Sequence, residues 1–233
     1  MRMCKDTVAD SLIAWEANAA FWDVQMGAQS NAFHTQVVRP KVSELLQVKA
    51  QDYVLDIACG NGNYAAYLAE KGAQVVAFDY SPKMIELACR RQAAFGDQIE
   101  FHVVDATDRR ALYALRRARA YDKAVCNMAV MDMTQIKPLF TCVHDLLAED
   151  GIFVFATQHP CFVTLTNRYM TAHSYRGEAI AGQPMLQCYY HRALQDIFQM
   201  CFHSGFVIDG FFETCYRDEE RPEVIVVRAK KCR

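Results

Sequence analysis

A chain of 233 residues, 52% hydrophobic and 22% charged, has the composition of one globular unit with its own buried core. A formal charge of −2 gives no electrostatic case for a nucleic-acid partner. No stretch approaches the ~20 apolar residues of a membrane span. MRMCKDTVAD has no apolar run after its basic residues, so a cytoplasmic protein without a secretory leader is expected.

In chain order, residues 7–48 read as helices carrying Trp15, Phe21, Trp22, Met26 and Phe33. YVLDIA (53–58) predicts a buried strand, and NYAAYLAEKG (63–72) a helix stopped by Gly72. QVVAFD (74–79) is a second strand. Ser81-Pro82 then supplies an N-cap and a first-turn proline for a helix to about Phe95. IEFHVV (99–104), DKAVCN (122–127) and GIFVFAT (151–157) predict further strands, with helices over 108–119 and 136–148. Alternating strands and helices with continuously apolar strands predict a parallel sheet covered on both faces. The rhythm breaks at the end. A helical stripe of Leu194, Ile197, Phe198, Cys201 and Phe202 stops at Gly205, and FVIDGFFE (206–213) and EVIVVRAK (224–231) follow with no helix between them. Two strands so joined pair antiparallel or lie apart.

The ten cysteines do not predict disulfides, because Cys59, Cys89, Cys126, Cys142 and Cys201 fall within apolar or helical stretches, where a thiol acts as a small hydrophobe. Cys188-x-x-His191 has a feasible metal spacing but no CxxC beside it, so no metal site is assigned.

DIACGNG (56–62) carries the chemistry. Gly60 and Gly62 follow a strand and open a helix, where small residues admit a ligand to the backbone and free N–H groups can donate to it. Gly60-x-Gly62-x-x-Ala65, with Asp79 nineteen residues after Gly60, also fits a dinucleotide fingerprint, and the Asp79 carboxylate suits a ribose diol in either case. Asp56 separates the two. A carboxylate four residues ahead of Gly60 is a poor neighbour for a diphosphate on the helix N-terminus and a good one for a cation.

VLDIACGNGNYAAYLAEKGAQVVAFDYSPKMIELACRR resembles the nucleotide-binding half of the class I S-adenosylmethionine-dependent methyltransferases, and the likeness extends over most of the chain. The loop reads Ala58-x-Gly60-x-Gly62, with the alanine that often replaces the family's first glycine, and Cys59 lies inside it. The resemblance implies a Rossmann-like seven-stranded α/β sheet, mostly parallel, of order 3-2-1-4-5-7-6, closed by an antiparallel pair. It places Asp56 near the amino-acid portion of S-adenosylmethionine and Asp79 on the ribose, with Tyr80, Ser81 and Met84 around the nucleoside. Asp105 and Ala106 of FHVVDATD would meet the adenine, and backbone at Asn127, Met128 and Ala129 would flank the methionine moiety. WEANAAFWDVQMG looks like the lid helix of small-molecule members.

Within this family the chain has Asn127-Met128-Ala129-Val130 where base-amine methyltransferases carry [N/D]-P-P-[F/Y]. Pro160-Cys161 follows the fifth strand rather than the fourth, unlike the Pro-Cys nucleophile of cytosine C5 enzymes. Arg109, Arg110, Arg116, Arg117 and Arg119 read as a solvated face before an RNA surface. A small-molecule acceptor is therefore expected, in a pocket from Trp22, Met26, Phe33, His34, His159 and Tyr175. His159 is the candidate base, and His34, His173 and Tyr175 are weaker ones. The expected layout is an N-terminal helical cap (1–48), a cofactor-binding core (49–158), a substrate-lid insertion (159–190) and a C-terminal helix and hairpin (191–233), in a monomer or homodimer. A nicotinamide-dependent oxidoreductase and a non-catalytic S-adenosylmethionine-binding protein are the alternatives.

Overall fold

The computed structural model describes residues 7–232, so the reading of the first six residues lies outside it. Seven strands form one sheet: β1 (Tyr53–Ile57), β2 (Gln74–Asp79), β3 (Ile99–Val103), β4 (Tyr121–Asn127), β5 (Leu147–Gln158), β8 (Phe206–Thr214) and β9 (Val224–Lys231). Their order is β3-β2-β1-β4-β5-β9-β8, parallel as far as β5, with β9 antiparallel to both of its neighbours. This is the order that the resemblance implies. Two strands were not foreseen. β6 (His173–Gly177) and β7 (Gln187–His191) make a separate antiparallel hairpin across the end of the segment expected as a substrate-lid insertion, 159–190.

Period-two alternation divides the sheet's side chains between its faces. Leu55 and Ile57 face one layer with Phe153 and Phe155, packed under Leu112, Leu139, Phe140 and Cys201 of α5 (Arg109–Tyr113), α6 (Lys137–Leu146) and α7 (Leu194–His203). Val54, Val75, Val125 and Val154 face the other, under Leu45, Leu46 and Leu68 of α2 (Arg39–Leu46) and α3 (Asn63–Glu70). α4 (Pro82–Arg91) completes the cofactor half, with Ser81 as its N-cap. The helix expected over 108–119 stops at Tyr113. The chain turns there, Tyr121 donates to the Leu115 carbonyl, and Arg117 swings to Glu100.

α1 (Val8–Met26) starts with a Thr7–Asp10 capping box and packs against α4 and β7 rather than on the sheet. Four polar latches hold it. Ser11 bonds the Tyr80 hydroxyl at 2.8 Å, and Glu16 accepts from the Ser81 hydroxyl and the Lys83 N–H. Asn18 exchanges two hydrogen bonds with the backbone of Met185, at 2.7 and 2.8 Å. Asp23 takes a bidentate pair from Arg91 and a bond from Asn61. After α1, residues His34–Val38 form one π-helical turn, a widened geometry frequent at functional sites.

Lys123 on β4 is buried where β1, β4 and α2 meet. Its ammonium donates to the carbonyls of Leu46 and Gln47 at the end of α2 and lies 3.2 Å from the Asp52 carboxylate. Removing it strands an acid and the last carbonyls of a helix together. Lys123→Met is expected to cost about 3 kcal/mol, read as a lower urea midpoint at unchanged slope.

Candidate functional site

The strand order reverses between β1 and β4, since β2 and β3 lie to one side of β1 and β5 lies beyond β4. A crevice opens at the carboxyl ends of the strands at such a point. Here it is a cavity of about 1140 Å³ that opens to solvent.

The ends of four strands line it. β1 delivers Asp56, Ala58, Cys59 and Gly60, β2 delivers Asp79 and Tyr80, the turn after β3 delivers Asp105 and Ala106, and the end of β4 delivers Asn127, Met128 and Ala129. The backbone there is unusual. Ala58 has φ 54° and Met128 φ 53°, left-handed values that cost L-residues about 1–2 kcal/mol each. Two strands thus end in a strained turn at one cavity, where such strain commonly serves a ligand. A Cβ on Gly60, at φ 56°, would meet no atom within 4 Å, so the glycine leaves its backbone bare toward open space. Gly62 does a different job. Its Cβ would lie 2.9 Å from the Phe101 ring, so this glycine lets α3 pack on β3 and does not line the cavity.

Charge is the site's main chemical feature. Asp56, Asp79, Asp105 and Asp132 line the cavity, and Arg39 is the one permanent cation among the lining residues. Asp79 accepts from the N–H groups of Gly60 (3.0 Å) and Ser81 (2.9 Å). Burial, only partly offset by these bonds, pushes it up to about 6. Burial, with Asp79 nearby, pushes Asp56 up to about 8, and one of its oxygens is buried without a partner. Asp132 is held well above the carboxylate range by the same causes and also has a partnerless buried oxygen. His34 is pushed down to about 4 by burial and then by Arg39, so its ring is neutral at neutral pH. Three acids so arranged call for a cation and oppose a phosphate.

The residues expected around an acceptor pocket are not all brought to one cavity. Trp22, Met26 and His34 line the cavity, joined by Trp15, which packs edge-on to Trp22 at 5.3 Å. Phe33 does not line it and packs edge-on against His34 and Tyr216. Ser81 and Met84 stand behind the wall, the first capping α4 and the second fully buried. Tyr175 lies on β6, donates to Gln158 at 2.7 Å and lines a smaller pocket instead. His159 lines neither cavity. Its Nδ1 accepts from the Cys161 N–H at 3.1 Å, which leaves Nε2 to donate to Glu213 at 2.7 Å. Both ring nitrogens are occupied, so His159 staples the end of β5 to β8, and the geometry offers it no substrate proton. Segment 159–190 contributes no residue to the cavity lining and reaches the site through α1 and through β7, which packs on the Val130–Asp132 turn. Asp132, Arg39 and Asn63 are lining residues that sequence reasoning did not single out. Asp132 carried a legible cue, an acid five residues past the fourth strand, but one isolated acid has no spacing to mark it.

Residues 54–151 match the methyltransferase domain family. Demethylmenaquinone methyltransferase of Clavibacter sepedonicus is 41% identical over 73 residues, 31% of this chain and 29% of its own length. A 23S rRNA (uracil(1939)-C(5))-methyltransferase of Acidithiobacillus ferrooxidans is 32% identical over 91 residues, 38% of this chain and 21% of its own length. The chain thus spans under a third of either curated relative. Among solved structures, 1,6-didemethyltoxoflavin-N1-methyltransferase of Burkholderia thailandensis superposes with a TM-score of 0.64 at 18% identity, covering 99% of this chain and 94% of that one. Residues 54–151 thus carry a methyltransferase domain, and the fold around them is that of solved S-adenosylmethionine-dependent methyltransferases. At this site the partnerless oxygen of Asp56 and the bare backbone at Gly60 fit a ligand that is cationic and phosphate-free.

A cation that ionises these acids must displace their protons. S-adenosylmethionine affinity should therefore rise with pH between about 6 and 8, by at most about tenfold per pH unit for each linked proton, and level off above. The sign for stability is opposite. With folded values above the unfolded carboxylate range, the ligand-free protein keeps this stabilisation at low pH and loses it as pH climbs from about 4 through 8. Melting curves at pH 6 and 8, with and without the ligand, check both: the ligand-induced rise should be larger at pH 8.

Proposed function

We propose that the protein transfers a methyl group from S-adenosylmethionine to a nucleophilic atom of a small molecule. The observation that carries this reading is Asp56: a buried carboxyl with a free oxygen, at the glycine loop, beside further acids. A nicotinamide dinucleotide would set its diphosphate against those carboxylates, while S-adenosylmethionine presents a sulfonium and an ammonium. Asp79 would hold the ribose hydroxyls, Asp105 and Ala106 the adenine, and Asp56 with Asn127–Ala129 the amino-acid tail. When bound, the cofactor supplies a methyl group already activated by its positively charged sulfur. The chain's own task is then alignment and exclusion of water, which can supply up to ~7–11 kcal/mol of a barrier. α1 covers the cavity with Trp15 and Trp22, and its latches to Tyr80, Ser81 and Arg91 keep it there.

Three features support a small acceptor over RNA. The cavity is walled by aromatic and Met side chains and roofed by α1. Four of the five arginines in the cluster are internally committed: Arg117 pairs with Glu100, Arg119 pairs with Asp122, and Arg109 and Arg116 lie over the Tyr113 ring. The toxoflavin-type enzyme, whose printed name describes a small-molecule methylation, matches nearly the whole chain in fold. The layout of cap, core, insertion and terminal hairpin supports assembly as a single unit around one site.

Calorimetric titration with S-adenosylmethionine, S-adenosylhomocysteine and NADH tests the reading on the wild type and Asp79→Ala. The expected result is micromolar binding of the first two, weakened tenfold or more in the variant through loss of a charge-assisted bond of about 1.5–3 kcal/mol. Binding of NADH alone would overturn it.

A further inference from the structure

After β4 the chain makes a 3₁₀ turn, Val130–Asp132, closed by the Asp132 N–H on the Ala129 carbonyl at 2.9 Å. Asp132, Met133 and Thr134 line the cavity one turn beyond the Asn127–Ala129 backbone. On the functional reading above, that backbone flanks the methionine moiety, so Asp132 stands past the cofactor's tail, on the side where a second molecule must enter. A half-buried residue from elsewhere fixes this turn. Arg192, between β7 and α7, donates to the carbonyls of Val130 (3.2 Å), Met133 (2.5 Å) and Thr134 (3.1 Å), bracketing Asp132. A fourth, longer bond to Tyr190 (3.4 Å) ties the guanidinium to its own hairpin. Burial lowers Arg192 only to about 10, so it stays charged.

We propose that Asp132 is a catalytic residue on the acceptor side, which receives the proton of an acceptor N–H or O–H, and that Arg192 is the positioning residue that holds it there. The proposal rests on S-adenosylmethionine being the donor. The acceptor's N–H or O–H bond breaks, and its proton forms the O–H of the Asp132 carboxylic acid. The electron pair left on nitrogen or oxygen makes the new bond to the methyl carbon, while the carbon–sulfur bond breaks with its pair going to sulfur. Asp132 can start as the carboxylate because a positive charge bound beside it reverses the effect of burial. Of the other ionisable groups around it, Asp79 is committed to two backbone N–H groups, and Tyr80, Tyr175 and Tyr189 are buried phenols held above their ordinary range. His34 is the other proton acceptor on this wall, and a ring near 4 is a weak base. The acceptor class that follows is an aromatic or heteroaromatic molecule, neutral or cationic, with a proton to lose. Trp15 and Trp22 offer its ring an aromatic face and an aromatic edge, and the excess of acids disfavours an anion.

The test needs no acceptor. Sinefungin has a carbon in place of the sulfur and carries an amine where S-adenosylmethionine carries its methyl group, whereas S-adenosylhomocysteine keeps the sulfur and carries nothing at that position. The wild type should bind sinefungin about tenfold or more tightly than S-adenosylhomocysteine, through a charge-assisted bond to Asp132. Asp132→Asn should erase that preference and leave S-adenosylhomocysteine affinity within about twofold, whereas Asp56→Asn should weaken both ligands together. Arg192→Lys, which keeps the charge but cannot span three carbonyls, should reduce the preference part-way at unchanged S-adenosylhomocysteine affinity. A residue with only a structural part would lower the melting temperature and move both ligands equally. A preference that survives Asp132→Asn, or is absent from the wild type, overturns the assignment and leaves the cofactor reading intact. A wild type that binds neither ligand nor S-adenosylmethionine overturns both.

Discussion

The carboxyl group of Asp56 ends a buried strand with one oxygen unpartnered, and its neighbours across the crevice are acids rather than bases. Burying a charge without a counter-charge costs several kcal/mol, which proteins usually avoid by pairing it or leaving it protonated. Here the protein accepts the second solution at Asp56 and Asp132, while Asp79, near 6, is steadied by the N–H groups of Gly60 and Ser81. The cost is tolerable because the rest of the sheet is conventionally packed on both faces, so stability comes from the core and not from the crevice. A site built this way is tense until a cation arrives.

That tension explains where the polar contacts of the N-terminal segment go. α1 has no seat on the sheet, and its latches run to Tyr80, Ser81, Lys83, Asn61 and Arg91, the shoulders of the glycine loop and of β2. The β6–β7 hairpin grips the same helix from outside through Asn18 and Met185. The insertion therefore shapes the site at one remove, by holding the roof, while Arg192 at the hairpin's end holds the floor turn.

The core strands were legible because buried parallel strands are continuous apolar runs, and the glycine loop because two glycines and an acid stand at a fixed spacing. The strand order came from family likeness, since local pattern says which segments are strands but not which pair. What escaped depends on contacts distant in sequence. HSYRG and QCYYH lack clean alternation, so the hairpin is fixed by pairing with each other and by packing on α1. His159 has the residue type of a base and sits at a strand end, but its two nitrogens are claimed by Cys161 and Glu213, the latter 54 residues away. Asp132 is one acid in a loop, and its interest arises from the cavity beside it and from Arg192, sixty residues on.

Glu16 caps a helix to which it does not belong. Its carboxylate sits on the Ser81 hydroxyl and the Lys83 N–H at the start of α4, so the positive end of that helix dipole rewards the roof for staying shut even with nothing beneath it. The roof is thereby fixed beside the mouth of a cavity that opens to solvent, so the pocket's aromatic wall is in place before a ligand arrives.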